Sequence, residues 1–124
     1  MITKIVSGGQ TGADRGALDA AIYGHVPHGG WCPKGRLAED GTIPRKYDLK
    51  ETDSKNYLQR TEWNVRDTDC TLVFTYGPVS GGTKRTVDFA AKHGKSCHVA
   101  DLKGTDSKLV VKHICSWLLG QIEE

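Results

Sequence analysis

Short apolar runs alternate with stretches of helical periodicity along this chain. Residues 2–6 form a β-branched run ended by a glycine pair, and apolar residues then recur at helical spacing over residues 17–22. The apolar run at residues 70–76 is followed in the same way by a second glycine-rich turn and a helix that Gly94 ends. Residues 97–102 complete the pattern as a further strand. These stretches predict repeated strand, turn and helix units.

The remaining residues are assigned to two helices and one long loop. Val110, Ile114 and Trp117 lie on the inner face of an amphipathic last helix, where Trp117 serves as core or as oligomer interface. Residues 54–68 form a weaker helical candidate with Ser54 as N-cap and with Leu58 and Val65 facing inward. Residues 29–50 show almost no apolar periodicity, and long ordered loops of that kind are usually functional or mobile.

Alternation of strands and helices predicts an α/β fold. We expect a Rossmann-like three-layer sandwich with a mostly parallel sheet and helices on both faces. The chain has 124 residues, which is enough for one domain with a sizeable core, so residues 1–124 are expected to form a single ligand-binding domain.

Charge and composition narrow the class of partner. Seventeen Lys and Arg against fifteen Asp and Glu leave too small an excess for a nucleic-acid interface, although a local anion site remains open. No run of 18 apolar residues and no signal peptide is seen, so we expect a cytoplasmic protein without membrane contact. The four cysteines are scattered without a C-x-x-C pair and are expected to be reduced.

Glycine is the compositional excess, with 15 residues, and many of them fall in the two turns between strand and helix. Glycine allows a positive φ and lets a ligand approach the main chain, so N–H groups at the helix start can bind a phosphate or another oxyanion. Asp14 would repel an anion unless it serves as a helix charge, a ribose acceptor or a metal ligand. A tight turn without a ligand is the alternative. The candidate binding residues of the first turn are Gly8, Gly9, Gln10, Thr11, Gly12 and Asp14.

The second turn, residues 77–84, resembles a phosphate-binding P-loop but has its Thr and Lys in the reverse order, so it is not a Walker motif. Small residues at the carboxyl end of a strand still favour an anion there. Since ligands of open α/β sheets bind at that edge, both turns are predicted to line one crevice. The candidate binding residues of the second turn are Ser80, Gly81, Gly82, Thr83 and Lys84.

The long loop adds cations and an aromatic ring. Lys34 and Arg36 are expected to close over the anion, while Trp31 either covers a planar pterin or base or packs the loop onto the core. The side chains of His25, His28 and Cys32 are of the types that bind zinc. A fourth ligand is missing, so no metal site is predicted. Cys32 is assigned as a small buried or loop residue, with a thiolate facing a molybdenum centre as the alternative.

Three blocks of sequence resemble a known family. They are S-G-G-Q-T-G-A-D-R-G-A-L-D at residues 7–19, G-W-C-P-K-G-R at residues 30–36 and G-P-V-S-G-G-T at residues 77–83. They are similar to the putative molybdenum carrier family, also described as circularly permuted YpsA-related members of the SLOG superfamily, over nearly the whole chain. The resemblance implies a Rossmann-like fold, a homo-oligomer, and storage of the molybdenum cofactor, a pterin bearing a dithiolene and a phosphate, for molybdoenzymes that receive it.

The same superfamily includes phosphoribohydrolases with the signature P-G-G-x-G-T-x-x-E, which can be laid over residues 78–86. Thr86 stands where the catalytic Glu belongs, and a hydroxyl does not replace a carboxylate that activates water. The resemblance therefore favours a carrier without catalysis. A nucleotide-processing enzyme that uses Asp14 or Asp88, and a nucleotide-sensing module, are the alternatives.

Overall fold

Parallel strand pairs and helices follow one another along the chain in the computed structural model, which describes residues 2–122. These residues contain four helices and eight short strands. The chain divides into two compact units, one up to Asn64 and one from Val65 onward, and each is described by itself. Alternating elements and parallel pairing agree with the predicted α/β, Rossmann-like class.

The first unit begins with a parallel β–α–β arrangement. Strand β1 (Ile5–Val6) pairs in parallel with β2 (His28–Gly29), and α1 (Ala13–Tyr23) connects them. Helix α1 buries Leu18 and Ala21, which lie on one helical face because they are three residues apart. The predicted strand of residues 2–6 is thus confirmed only in its last two residues.

The segment between β2 and α2, predicted as a long loop, contains four short strands. Strand β3 (Trp31–Cys32) pairs in parallel with β6 (Lys50–Glu51). Strands β4 (Leu37–Ala38) and β5 (Gly41–Thr42) form an antiparallel hairpin. Each strand has two residues, too few to show the alternation of apolar and polar positions by which a strand is predicted.

That segment also supplies most of the hydrophobic core of the first unit. Leu18 of α1 packs with four residues from it, which are Cys32, Ile43, Tyr47 and Leu49. A long segment with little periodicity is therefore anchored by burial of its scattered apolar residues.

Helix α2 (Tyr57–Arg66) begins two residues later than the predicted cap allows. Asn56 caps it, because its Oδ1 accepts the N–H of Leu58 at 2.9 Å, whereas the Oγ of Ser54 accepts the N–H of Asn56. Val65 is buried as predicted, but Leu58 is 37% exposed and does not lie on the inner face.

The second unit repeats the β–α–β arrangement and adds a helix. Strands β7 (Cys70–Thr75) and β8 (Ser96–Asp101) pair in parallel over all six residues. Helix α3 (Gly81–Lys92) connects them, and α4 (Ser107–Ile122) follows β8. Gly94 has a φ of 64° just beyond α3, in agreement with its predicted role as helix stop.

Strand β7 is only partly buried within the second unit, although a sandwich with helices on both faces of its sheet would cover such a strand on both sides. Val73 of β7 is buried, but Phe74 is 37% exposed. Trp117 of α4 stacks on His98 with 5.4 Å between ring centroids, and its Nε1 donates to the Ser96 Oγ at 3.2 Å. The predicted inward position of Trp117 within this unit is thereby confirmed.

Candidate functional site

Core residues of the first unit pack against the first glycine turn. Gly8 and Gly9 are buried, and Gly9 has a φ of 78°, which an L side chain rarely adopts. A Cβ on Gly9 would lie 2.6 Å from Leu49 Cδ1. Glycine is therefore required there for chain packing as well as for any ligand that approaches the backbone.

Gln10, predicted as a donor to the ligand, instead binds the β4–β5 hairpin. Its Nε2 donates to the Leu37 carbonyl at 2.9 Å, and its Oε1 accepts the Glu39 N–H at 3.2 Å. The hydroxyl of Thr11 donates to the Glu39 carboxylate at 3.1 Å. Both polar side chains of the turn thus position the hairpin.

Arg15 makes a second connection between the first turn and the hairpin. Its Nε donates to the Gly9 carbonyl at 3.0 Å, and its two terminal nitrogens donate to the Asp40 carboxylate at 2.6 and 2.7 Å. This bidentate pair lowers the pKa of Asp40 and raises that of Arg15. The hairpin is consequently held against the turn by charge as well as by the Gln10 amide.

Asp14 acts within the turn as an acceptor. Its Oδ2 accepts the Gln10 N–H at 3.2 Å and a bond from Arg60 Nη1 at 3.2 Å. Of the uses considered for Asp14, the geometry agrees with a charge in the first turn of a helix. Arg60 was not predicted from the sequence, because it lies 46 residues away on another helix.

The exposed end of the first turn retains free donors. Within the described residues, the N–H groups of Thr11, Gly12 and Ala13 have no acceptor, since the first bond into α1 runs from Arg15 to the Gln10 carbonyl. Thr11 and Gly12 are exposed. These groups can bind a polar or anionic atom of a ligand.

The second turn is fixed by a carboxylate from the end of β8. Asp101 Oδ1 accepts the N–H of Gly77 at 2.8 Å and the N–H of Lys103 at 2.9 Å. These two bonds lower the pKa of Asp101. Gly77 has a φ of 93°, so the chain turns sharply between β7 and α3.

The start of α3 is open and bears no carboxylate. Ser80 makes no side-chain cap, and the first helical bond runs from the Lys84 N–H to the Ser80 carbonyl at 3.2 Å. The N–H groups of Gly81, Gly82 and Thr83 therefore have no acceptor within residues 2–122. The first turn of α3 contains no acidic residue, in contrast to α1 with its Asp14.

Asp88 and Thr86, the two α3 residues considered for a hydrolase, each pair with another residue of α3. Asp88 pairs with Lys84 at 3.2 Å, and the Thr86 hydroxyl donates to the Gly82 carbonyl at 3.1 Å. Neither arrangement directs a general base toward the open N–H groups at the start of the helix.

The two loop cations differ in their surroundings. Lys34 is exposed, whereas Arg36 is buried and donates to backbone carbonyls of its own loop. These acceptors are the carbonyls of Ile43, Pro44, Tyr47 and Leu49. The guanidinium of Arg36 thus holds the loop together, and its expected role in closing over an anion stays a prediction.

Trp31 packs within the first unit. Its ring lies edge-on to Trp63 with 4.8 Å between centroids, and the Asn64 side chain binds both its N–H and its carbonyl at 2.7 and 3.0 Å. These contacts favour packing of the loop over stacking on a ligand.

Cys32 belongs to the hydrophobic core cluster of the first unit. It is fully buried in the core, and this burial raises the pKa of its thiol. The nearby His28 accepts the Asp48 N–H through Nε2 at 3.1 Å. Among residues 2–122 no group of three or more His, Cys, Asp or Glu side chains could hold a metal ion. None of the helices described is both long and apolar enough to cross a membrane.

The two turns lie in different units, and their convergence on one crevice stays a prediction. Comparison with known proteins adds independent information. A family model described as the circularly permutated YpsA SLOG family matches residues 5–123. A crystal structure of a putative molybdenum carrier protein from Syntrophus aciditrophicus SB is 48% identical, with a TM-score of 0.93 over 97% of this chain and 76% of that one. A comparison with curated proteins gives no match.

Proposed function

Because this chain belongs to the circularly permutated YpsA SLOG family, we propose that it is a carrier protein that binds a phosphorylated ligand related to the molybdenum cofactor. The name of the similar crystal structure supports this class of function. The Rossmann-like α/β fold supports it as well, because glycine turns before helices are anion-binding features of such folds.

The start of α3 carries the proposal. Its three open N–H groups, on Gly81, Gly82 and Thr83, are at the positive end of a 12-residue helix without a carboxylate in the first turn. Lys84 and Arg85 are exposed beside them and add positive charge. A phosphate group of the ligand binds here through backbone donors.

The first turn contributes a second set of donors. The open N–H groups of Thr11 and Gly12 can bind a polar or anionic atom at this turn, and Lys34 is an exposed cation of the same unit. Gln10 and Arg36, which the sequence also suggests as ligand donors, position the loop that surrounds these groups.

The candidate residues offer N–H donors for the phosphate of a molybdenum cofactor and no cluster of side chains, among those described, that could bind its metal. The dithiolene of that cofactor supplies sulfur ligands to molybdenum, so no cluster of protein ligands is needed. The burial of Cys32 in the core agrees with this assignment. The proposal includes a homo-oligomer in the cytoplasm that delivers the cofactor to molybdoenzymes.

A charge placed at the start of α3 tests this function. Thr83→Glu brings a carboxylate to the phosphate site, whereas Thr83→Gln has nearly the same shape without the charge. Both variants and the wild type are purified from cells that make the cofactor, and molybdenum per chain is measured. We expect Thr83→Glu to lose the metal and Thr83→Gln to retain most of it. Equal content in both variants would exclude the start of α3 as the site.

A further inference from the structure

Arg60 differs from the other two shielded arginines of the first unit in how its donors are used. Arg15 donates three bonds, to Gly9 and to both oxygens of Asp40, and Arg36 donates to four backbone carbonyls. Arg60 has a side chain only 16% exposed, yet its Nε is buried without an acceptor in the described part of the chain. A buried N–H that lacks an acceptor marks a place where one is missing.

The guanidinium of Arg60 lies directly over the first glycine turn. A Cβ built on Gly8 would lie 2.8 Å from Arg60 Cζ, so the turn can accept this group only because residue 8 is glycine. The ring of Tyr57, one helical turn earlier, is 5.7 Å from Cζ and flanks the guanidinium. Helix α2 thus delivers a cation to the turn that the sequence marks as a binding segment.

The N–H donors of Arg60 are only partly used. Among residues 2–122 its one ionic contact is the 3.2 Å bond to Asp14, whose Oδ2 also accepts the Gln10 N–H. The Arg15–Asp40 pair is bidentate, with bonds of 2.6 and 2.7 Å. Because a guanidinium carries five N–H donors, a shielded guanidinium with one bond to a shared carboxylate has donors left for a further acceptor.

We infer that Arg60 binds an oxyanion at the first turn, with inorganic phosphate as its simplest example, through the Nε and Nη2 edge of its guanidinium. This edge is the planar fork that binds two oxygens of a phosphate or carboxylate. Asp14 is then a positioning residue that holds Nη1 and directs the fork. This assignment rests on the proposed carrier function. It adds Arg60 as an anion-binding residue at the first turn.

Inorganic phosphate is the probe for this site. In ¹⁵N-labelled protein the Nε–H signal of Arg60 is assigned as the one that disappears in Arg60→Lys, and phosphate is then titrated in. We expect a saturable shift of that signal, with the Arg15 Nε–H unchanged because it already donates to the Gly9 carbonyl. A titration that leaves the Arg60 signal in place would overturn the inference.

Substitutions give a second test, because each is expected to change the phosphate affinity in a stated direction. Arg60→Gln should weaken phosphate binding by at least about tenfold, and Arg60→Lys should weaken it as well because an ammonium lacks the fork. Arg45→Gln, which removes an exposed arginine, is the matched control and should have no effect. Asp14→Asn keeps a side-chain oxygen that can accept the bond from Nη1 and so position the fork, but it removes the nearby negative charge; it should strengthen phosphate binding about twofold or more. An Asp14→Asn variant that binds phosphate more weakly would contradict the inference even if the Arg60 variants fail to fold.

Failure of this inference and failure of the carrier function are distinguishable. Purified protein that holds molybdenum while phosphate leaves Arg60 unshifted retains the carrier function and refutes the role of Arg60. Protein in which phosphate shifts Arg60 but no molybdenum is found supports the oxyanion site and refutes the molybdenum carrier.

Discussion

Replacement of Gly9 by alanine tests whether the first turn is shaped by packing within its own unit. Gly9 has a φ of 78°, and a non-glycine residue in that region costs about 1–2 kcal/mol. The new Cβ would also lie 2.6 Å from Leu49 Cδ1 and 3.1 Å from Ile43 Cδ1, an overlap with two core residues. Overpacking of this kind costs roughly 1–3 kcal/mol. We expect Gly9→Ala to reduce the free energy of unfolding by about 2–5 kcal/mol in total.

Gly12→Ala is the matched control, since Gly12 has a similar φ of 83° and no atom within 4 Å of the place where a methyl group would lie. The ψ of Gly12 is −129°, outside the left-handed helical region, so Gly12→Ala should show a backbone cost of about 1–3 kcal/mol without a packing cost. Urea unfolding followed by tryptophan fluorescence gives both values, and Trp31 and Trp63 report on the first unit. Equal destabilisation by the two substitutions would refute the claim that Leu49 and Ile43 close the space under the turn.

Three further outcomes follow from named contacts. Arg36→Met should destabilise the protein by at least about 3 kcal/mol, since four carbonyls lose their donor, while exposed Lys34→Met should change stability little; urea unfolding measures both. Two backbone N–H groups lower the pKa of Asp101 below the ordinary value of 3.8. The stabilisation that its carboxylate contributes is therefore present above that value and is lost as the pH falls through the lower pKa of the folded state. Asp101→Asn should flatten this loss in acid unfolding curves, and an unchanged acid profile would argue against the assignment. Gln10→Glu replaces the donor to the Leu37 carbonyl with an acceptor and should lower the free energy of unfolding by about 1–3 kcal/mol. Faster hydrogen exchange in the β4–β5 hairpin would show that the loss is local to this contact.

The longer elements could be predicted from the sequence because their apolar periodicity extends over enough residues. Helices α1 and α3 and the six-residue strands β7 and β8 all fall close to their predicted positions. The two-residue strands between β2 and α2 could not be predicted, since no alternation is visible over two positions. The core residues Ile43, Tyr47 and Leu49 are spaced irregularly, and their burial depends on contacts with Leu18 rather than on local pattern.

The candidate site was predictable in its backbone but not in its side-chain pairing. The position of the glycines before α1 and α3 follows from the strand–turn–helix pattern. The use of Gln10 and Arg36 as internal donors depends on which carbonyls the folded loop presents, and the sequence does not encode that locally. Arg60 carries no motif of its own, and only the fold brings it to Gly8.

Identification of the molecule bound to the purified wild-type chain tests the carrier function most directly. The protein is isolated from cells that make the molybdenum cofactor, its molybdenum is quantified, and the released organic ligand is identified by mass spectrometry. We predict a phosphorylated pterin together with molybdenum in a constant ratio to the chain. A bound nucleotide without molybdenum, or steady release of free base from added nucleoside monophosphates, would contradict the carrier function and favour a nucleotide-binding or nucleotide-processing protein.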